Sequence, residues 1–432
     1  MQNCLRKIIL KALGRDAMKL KLITCSVALS VAASTTFAAT ADSLKLELDK
    51  LKASQVALEK QVEALKTGKG KEGGSVHMGP IGGGMIAGQS SRFGRDLQML
   101  GLLQKAGKDA PRLTIGGNLE ADVVYGRNVA DGSSIYNSQG YVKGQNASAI
   151  FLDTARLDLL AKLNDWAFVD WQLDFASGAD TRSGYLTIGN LDKSPVYLSA
   201  GKYFPYFGDF GSHLYNNPLS TDYFRISSAV GAIALGYSQD NLNVSAALFK
   251  SKRANVTQVK DWTLQADYSF KVGQVKAKVG AGYVADITGH ALSDITAQNT
   301  LDALPAANVS AKMAVGPVSF KVNYAQTTKD VNRTDMQDKK VSAYNIQAGY
   351  STTIIKPIDF SVSYSATKNL NGVVTSNKQF KNQVLVGAGV AVMPGAYVSL
   401  EYGNIAQYAN PTLESSDTNR YSVLTLDFWL TF

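Results

Sequence analysis

Hydrophobic and polar residues alternate along the chain from residue 113 to the C-terminus. In LTIGGNLEADVVY, which begins at Leu113, the side chains of Leu119 and Val123 fall on one face of a strand. Glu120 and Asp122 fall on the other face. The same period predicts 16 strands, beginning near residues 112, 150, 166, 183, 196, 226, 242, 261, 274, 308, 318, 341, 360, 383, 397 and 420.

The connections between these strands alternate in length. Tight turns are predicted at 164–165, 192–195, 238–241, 272–273, 316–317, 352–359 and 393–396. Longer connections are predicted at 129–149, 205–225, 287–307, 328–340 and 406–419. Short turns at one end and long loops at the other, over an even number of antiparallel strands, are typical of a membrane barrel. A soluble sandwich would alternate too, but its two ends would not differ. The predicted fold is therefore all-β, a transmembrane antiparallel β-barrel of about 16 strands over residues 111–432.

The last predicted strand, YSVLTLDFWLTF, keeps one apolar face up to the C-terminus, with Phe428, Leu430 and Phe432 on that face. A barrel in lipid needs its last strand to pair with its first, because an open edge would leave backbone groups without hydrogen bonds. Tyrosines near the predicted strand ends suit a girdle at the membrane interfaces: Tyr125, Tyr237, Tyr283, Tyr324, Tyr350, Tyr364 and Tyr402.

Three segments precede the barrel. Residues 1–38 have the basic start, apolar stretch and small-residue end of a signal peptide, with Met18 as an alternative start. Residues 42–66 carry an a/d heptad seam, which predicts a coiled coil in the periplasm and a homo-oligomer, a trimer. A single amphipathic helix lying on another surface is the alternative. Residues 67–110 form a glycine-rich tether with a short helix over 92–107.

Composition and charge exclude several classes of function. From residue 111 onward the chain has 27 basic and 26 acidic side chains, a balance that gives no argument for a nucleic-acid partner or for anionic substrates. Both cysteines, Cys4 and Cys25, lie in the predicted signal peptide, which fits an oxidising compartment after export. The three histidines, His77, His213 and His290, lack neighbours at metal-ligand spacing, and none falls on a predicted strand. We therefore expect no metal, no cofactor and no enzymatic activity.

The size of the barrel predicts a channel. Barrels of ~16–18 strands enclose an aqueous lumen, and the chain leaves no room for a separate folded plug. One long loop, YFPYFGDFGSHLYNNPLSTDYF over residues 203–224, is aromatic enough to fold inward as a constriction. Packing outside against neighbouring loops is the alternative. The constriction candidates are Tyr203, Phe204, Tyr206, Phe207, Asp209, His213 and Tyr215.

The polar face of the predicted strands separates charges of opposite sign. The acidic candidates come from strands that closure brings together: Glu120, Asp122, Asp158, Asp170, Asp174, Glu401 and Asp427. The basic candidates come from the opposite wall: Lys271, Lys276, Lys278, Lys312 and Lys321. Two such walls would set a field across the lumen and orient dipolar solutes. Chance scatter of charge is the alternative, and Arg156, Lys162 and Asp267 break the pattern.

The order of leader, coiled coil, tether and barrel, together with GKYFPYFGDF from Gly201 to Phe210, resembles the LbtU-type siderophore porin family and, more distantly, phosphate-selective porins. The resemblance implies uptake of an iron–siderophore complex across the outer membrane of a Gram-negative bacterium. The C-terminal Phe432 resembles the signal read by the outer-membrane assembly machinery. The mixed lumen departs from the basic ladder of the phosphate-selective relatives. A general or anion-selective porin, or an anchoring or surface-binding protein, remain alternatives.

Overall fold

The computed structural model of the protein describes residues 76–78, 94–107, 110–127, 146–176, 178–212, 214, 216–251, 256–288, 303–331, 339–370, 380–408 and 420–432. The predicted signal peptide, the predicted coiled coil and most of the predicted tether lie outside these residues, so those segments stay predictions.

The described residues fold mainly into β-strands. A short strand β1, Val76–Met78, comes first. The barrel strands are β2 Leu113–Arg127, β3 Ala147–Lys162, β4 Ala167–Asp174, β5 Asp180–Gly189, β6 Val196–Tyr203, β7 Val230–Gln239, β8 Leu242–Phe249, β9 Asp261–Val272, β10 Val275–Val284, β11 Ala306–Val315, β12 Val318–Thr327, β13 Ser342–Thr353, β14 Pro357–Lys368, β15 Phe380–Met393, β16 Ala396–Gln407 and β17 Arg420–Thr431. Each begins within four residues of its predicted start.

Strands β2–β17 form a closed antiparallel barrel of 16 strands, which confirms the predicted fold class. Strand β17 closes the barrel on β2, in a register that runs from Ser422 opposite Arg127 to Thr431 opposite Asn118. Strand β2 extends past this register, and β1 pairs with its first three residues in parallel. The edge that β17 leaves open at the start of β2 is therefore covered by β1.

The two ends of the barrel differ as the connection lengths predict. Pairs such as β9–β10 and β11–β12 are joined by two residues, at 273–274 and 316–317. Gly273 takes φ +59°, a left-handed conformation that a tight hairpin requires and that glycine adopts without strain. We call this end the short-turn end and the other the long-loop end.

Within the described residues, two helices accompany the barrel. Helix α1, Arg95–Ala106, lies in the segment where the sequence predicts a short helix. Helix α2, Leu219–Phe224, lies in the connection between β6 and β7, where no helical period was recognised. Six residues are too few to show a clear period in the sequence. Among the described residues, no helix combines the length and the apolar character needed to cross a bilayer.

The hydrophobic core lies inside the barrel and takes buried side chains from strands all around it, from β2 to β17. It includes Phe168, Tyr185, Phe207, Phe210 and Phe249, all nearly inaccessible to solvent. Helix α1 adds Met99 and Leu100 to this core. The sequence predicts no separate folded plug, but it gives no sign that a short helix from the N-terminal segment occupies part of the lumen.

Candidate channel lumen

The inner and outer faces of the barrel differ in polarity. On β2, Glu120 and Asp122 are buried on the inner face, and Leu119 is exposed on the outer face. This difference between the two faces arises because successive side chains of a strand point in opposite directions. Exposed apolar side chains cover the outside, among them Trp171, Ile188, Ile233, Leu248, Trp262, Phe320, Ile346, Val362, Leu400 and Phe428. An outer surface of this kind suits contact with lipid.

The connection between β6 and β7, which we call the constriction loop (residues 204–229), lies inside the barrel. The Tyr206 hydroxyl donates a hydrogen bond of 2.6 Å to Asp267 on β9, and the Gly208 amide donates one of 2.8 Å to Gln265. The Leu219 amide donates one of 3.1 Å to Ser365 on β14. Because these partners lie on widely separated strands, the loop crosses the lumen.

Asp209 is the main charged contact of the constriction loop. The Lys321 ammonium lies 2.8 Å from its carboxylate and the Lys278 ammonium 3.4 Å from it. Burial alone would raise the pKa of Asp209, but the attraction of these two lysines outweighs burial and holds the pKa below its ordinary value. The carboxylate is therefore charged throughout the physiological range.

The basic candidates form rows across neighbouring strands. Lys278, Lys312 and Lys321 are successive cross-strand partners on β10, β11 and β12. Lys271 and Lys276 are cross-strand partners nearer to the short-turn end, and both are exposed. Like charges opposite one another repel. Asp209 relieves part of this repulsion in the row of Lys278, Lys312 and Lys321.

The remaining constriction candidates lie around this crossing. Tyr203, Phe204 and Phe207 are buried, and the Arg182 guanidinium lies 5.6 Å from the centre of the Phe204 ring. The Phe207 and Phe210 rings pack with their centres 6.0 Å apart. The candidates His213 and Tyr215 lie outside the described residues.

The acidic candidates all lie on the inner face, but many of them have partners. Asp174 lies 3.2 Å from Arg182 and 3.7 Å from Arg156. Glu401 accepts a 3.0 Å hydrogen bond from the Asn216 amide of the constriction loop. These contacts weaken the field that the sequence alone predicts, because part of the negative charge is compensated locally.

Three acidic candidates meet at the seam where β17 joins β2. Carboxylate oxygens of Glu120, Asp122 and Asp427 lie within 4.8 Å of one another, and all three side chains are buried. Asp122 and Asp427 are direct cross-strand partners. Carboxylates this close repel one another unless they share a proton or hold a cation, so this cluster is where the described part of the chain could accept a metal ion.

Helix α1 compensates the last two acidic candidates. The Arg95 guanidinium binds the Asp170 carboxylate through Nε at 2.5 Å and Nη2 at 3.2 Å, and it lies 3.7 Å from Asp158. Burial alone would lower the pKa of Arg95, but Asp170 and Asp158 outweigh it and raise the pKa, so the guanidinium stays charged. Asp170 also accepts a 2.8 Å hydrogen bond from the Tyr185 hydroxyl.

A second polar contact of α1 lies beside the first. The Asp96 carboxylate accepts hydrogen bonds from the Ser199 hydroxyl at 2.8 Å and from the Leu97 amide at 2.9 Å. Burial raises the pKa of Asp96, and these hydrogen bonds oppose the rise only in part. Sequence reasoning missed both contacts of α1. The signal available was an Arg-Asp pair at the start of a short helix with Leu97 and Leu100 on one side.

Two cavities flank α1. One, of about 330 Å³, lies between its first turn, the constriction loop and the wall of β9–β11. The other, of about 290 Å³, lies between its last turn and the turns after β3 and β5 at the short-turn end. Solvent space beside the crossing loop is therefore shaped by α1 as well as by the barrel wall.

The sequence is similar to one protein-family model and to several bacterial proteins. Residues 80–311 match the family model described as "Protein of unknown function (DUF3573)". A UPF0422 protein of Coxiella burnetii (strain RSA 493 / Nine Mile phase I) is 25% identical over 336 residues, which cover 72% of this chain and 68% of that protein. A UPF0422 protein of Legionella pneumophila (strain Paris), lpp3030, is 21% identical over 206 residues, or 45% of this chain and 35% of that protein.

Solved structures share the architecture at low sequence identity. The outer membrane channel DcaP of Acinetobacter baumannii superposes with a TM-score of 0.50 at 12% identity, over 74% of this chain and 97% of that one. A loop-deletion mutant of OmpT, an outer membrane protein of Vibrio cholerae, gives a TM-score of 0.49 at 13% identity, over 74% and 99%. At such identity the likeness concerns the fold alone. The family match, by contrast, spans more than half of the sequence, so the protein belongs to the family described as "Protein of unknown function (DUF3573)".

Proposed function

We propose that the protein is an outer-membrane channel for passive diffusion of small polar solutes. One observation carries the proposal: a closed barrel of 16 strands has an apolar outside and a charged inside, and a loop crosses its lumen. Barrels of ~16–18 strands enclose water-filled lumens. The lysine rows of β9–β12 and the acidic groups of β2, β16 and β17 would act on a solute as it passes the constriction loop.

We propose an iron–siderophore complex as the transported solute, on the resemblance to the LbtU-type porins. Lys271 and Lys276, near the short-turn end, have no ion pair with any described residue, which favours a second candidate, a general or anion-selective porin. The filled part of the lumen favours a third, an anchoring or surface-binding protein, because α1 and the constriction loop leave less open space than a bare barrel.

The remaining assignments belong to the same proposal. After removal of residues 1–38, the coiled coil over 42–66 would lie in the periplasm and hold a trimer together. The outer-membrane assembly machinery would read the last strand through Phe428, Leu430 and Phe432, and all three side chains are exposed on the outer face. Deletion of residues 42–66 should then convert a purified trimer into monomers without loss of strand content.

Planar-bilayer recordings test the channel directly. A channel gives stepwise conductance when purified protein is added to a bilayer, whereas an anchor with a closed lumen gives none. Uptake of radiolabelled iron–siderophore by cells that lack the protein, with an unrelated small solute as control, tests the solute. Equal loss of both uptakes would favour the general porin, and selective loss of iron uptake would favour the siderophore channel.

A further inference from the structure

The cavity between α1 and the constriction loop has the size of a small-molecule site. Its volume of about 330 Å³ lies at the lower end of the ~300–1,000 Å³ that such sites usually have. Its walls come from four parts of the fold: the first turn of α1, the constriction loop, β6 with β8, and β9–β11. A solute in the lumen would meet this space beside the loop that crosses from β9 to β14.

The charged side chains that line the cavity are Lys278, Lys312, Asp209 and Asp267. Lys278 lies 3.4 Å from both Asp209 and Asp267, and Lys321 lies 2.8 Å from Asp209. Lys312 stands between these two lysines in the same cross-strand row and has no ion pair with any described residue. The lining therefore balances two ammonium groups against two carboxylates, and Lys321, which lies outside the lining, adds one positive charge through its ion pair with Asp209. Lys312 is the lining lysine that is left without an ion pair among the described residues.

The other lining groups favour an organic anion over a bare inorganic one. The rings of Tyr197, Tyr206 and Phe210 give the cavity an apolar side. The hydroxyl of Tyr206 is already donated to Asp267. Helix α1 begins at Gly94 without a side-chain cap, and its positive end borders the cavity. The two carboxylates are engaged by lysines and a tyrosine, so a cationic solute finds no free partner among the described lining groups.

We propose that this cavity binds a small organic anion, a carboxylate with an aromatic or aliphatic body, and that Lys312 contacts its charge. The proposal rests on the proposed channel function and names the class of solute that the lumen retains. Lys312 would raise the local concentration of such anions beside the constriction loop, as a charged lumen site does when binding is weak enough for release.

Equilibrium binding tests the site without requiring current. Benzoate is titrated into detergent-purified full-length protein by calorimetry, and benzylamine serves as a cation of the same shape. We expect benzoate to bind and benzylamine not to bind. K312Q should weaken benzoate binding by about tenfold, the value of one charge-assisted contact, and K312R should restore most of it. K276Q is the matched control, because Lys276 is a lumen lysine that does not line the cavity.

Bilayer recordings separate this proposal from the function on which it rests. Benzoate should reduce the conductance of the wild type and of K276Q at concentrations that leave K312Q unaffected. Equal affinity for benzoate and benzylamine, or benzoate affinity unchanged by K312Q, would overturn the anion site even in a conducting channel. Absence of any conductance with benzoate binding intact would overturn the channel function and leave the site standing.

Discussion

Replacement of Arg95 by glutamine removes the cation that holds α1 on the inner wall of the barrel. The guanidinium is almost fully buried and makes two contacts with Asp170, whose side chain is completely buried. Removal of one member of a buried ion pair costs about 3–5 kcal/mol, because the other charge is left without its partner. Burial of Met99 and Leu100 contributes about 1.5–3 kcal/mol each to docking. The loss therefore rivals the apolar contribution of these two side chains, and R95Q should leave α1 only weakly docked.

A single cysteine on the barrel wall reports whether α1 is docked. Thr187 is completely buried, and its hydroxyl lies 2.9 Å from that of Ser199, which binds Asp96 of α1. The chain beyond the predicted signal peptide has no cysteine of its own. T187C should react slowly with a water-soluble maleimide in detergent. Addition of R95Q should speed the reaction by about 10²-fold to 4 × 10³-fold, the factor that corresponds to about 3–5 kcal/mol.

The double variant R95Q/D170N supplies the decisive control. It removes both charges, so no buried ion stays without a partner, and its labelling should lie within about tenfold of the wild type. Unheated electrophoretic mobility checks that the barrel stays closed in every variant. Labelling that R95Q leaves unchanged, or that the double variant speeds as much as R95Q does, would refute the role of the ion pair in docking.

Three further predictions concern the constriction loop, α1 and the wall. Burial raises the pKa of Asp96 in the docked state, so α1 is docked most stably at low pH and less stably as the pH rises above about 4. The rate of T187C labelling, measured relative to that of a surface cysteine, should therefore increase with pH. D96N should remove this pH dependence. D209N removes the carboxylate that lies between Lys321 and Lys278. The reversal potential measured in a KCl gradient should therefore shift toward a preference for chloride. A reversal potential that does not shift would contradict the placement of Asp209 in the conducting path. G236A places a Cβ 2.0 Å from the buried ring of Tyr197 and should lower stability by about 1–3 kcal/mol in urea unfolding, whereas G231A on the same strand meets no atom within 4 Å and should cost less.

The sequence alone determined which strands form and which way their side chains face. Glu120 points inward and Leu119 outward because successive Cβ atoms alternate across a strand, a property of the local backbone that needs no knowledge of partners. The same holds for the tight turn at Gly273 and for the last strand, whose alternation puts Phe428 and Leu430 on the outer face. This local geometry is the same in every strand, so it can be predicted from the sequence alone.

Only the tertiary structure decided how the lumen is filled and which charges in it stay free. Arg95 and Asp170 are 75 residues apart, and Lys321 and Asp209 are 112 apart. Nothing in the period of either segment identifies the other, because such pairs exist only once the barrel has closed and the loop and the helix have entered it. The sequence therefore predicted two walls of opposite charge, while the fold compensated much of the acidic one and left Lys312, like Lys271 and Lys276, without an ion pair among the described residues. The partner of each charged side chain is fixed when the barrel closes, and a local sequence pattern does not contain that information.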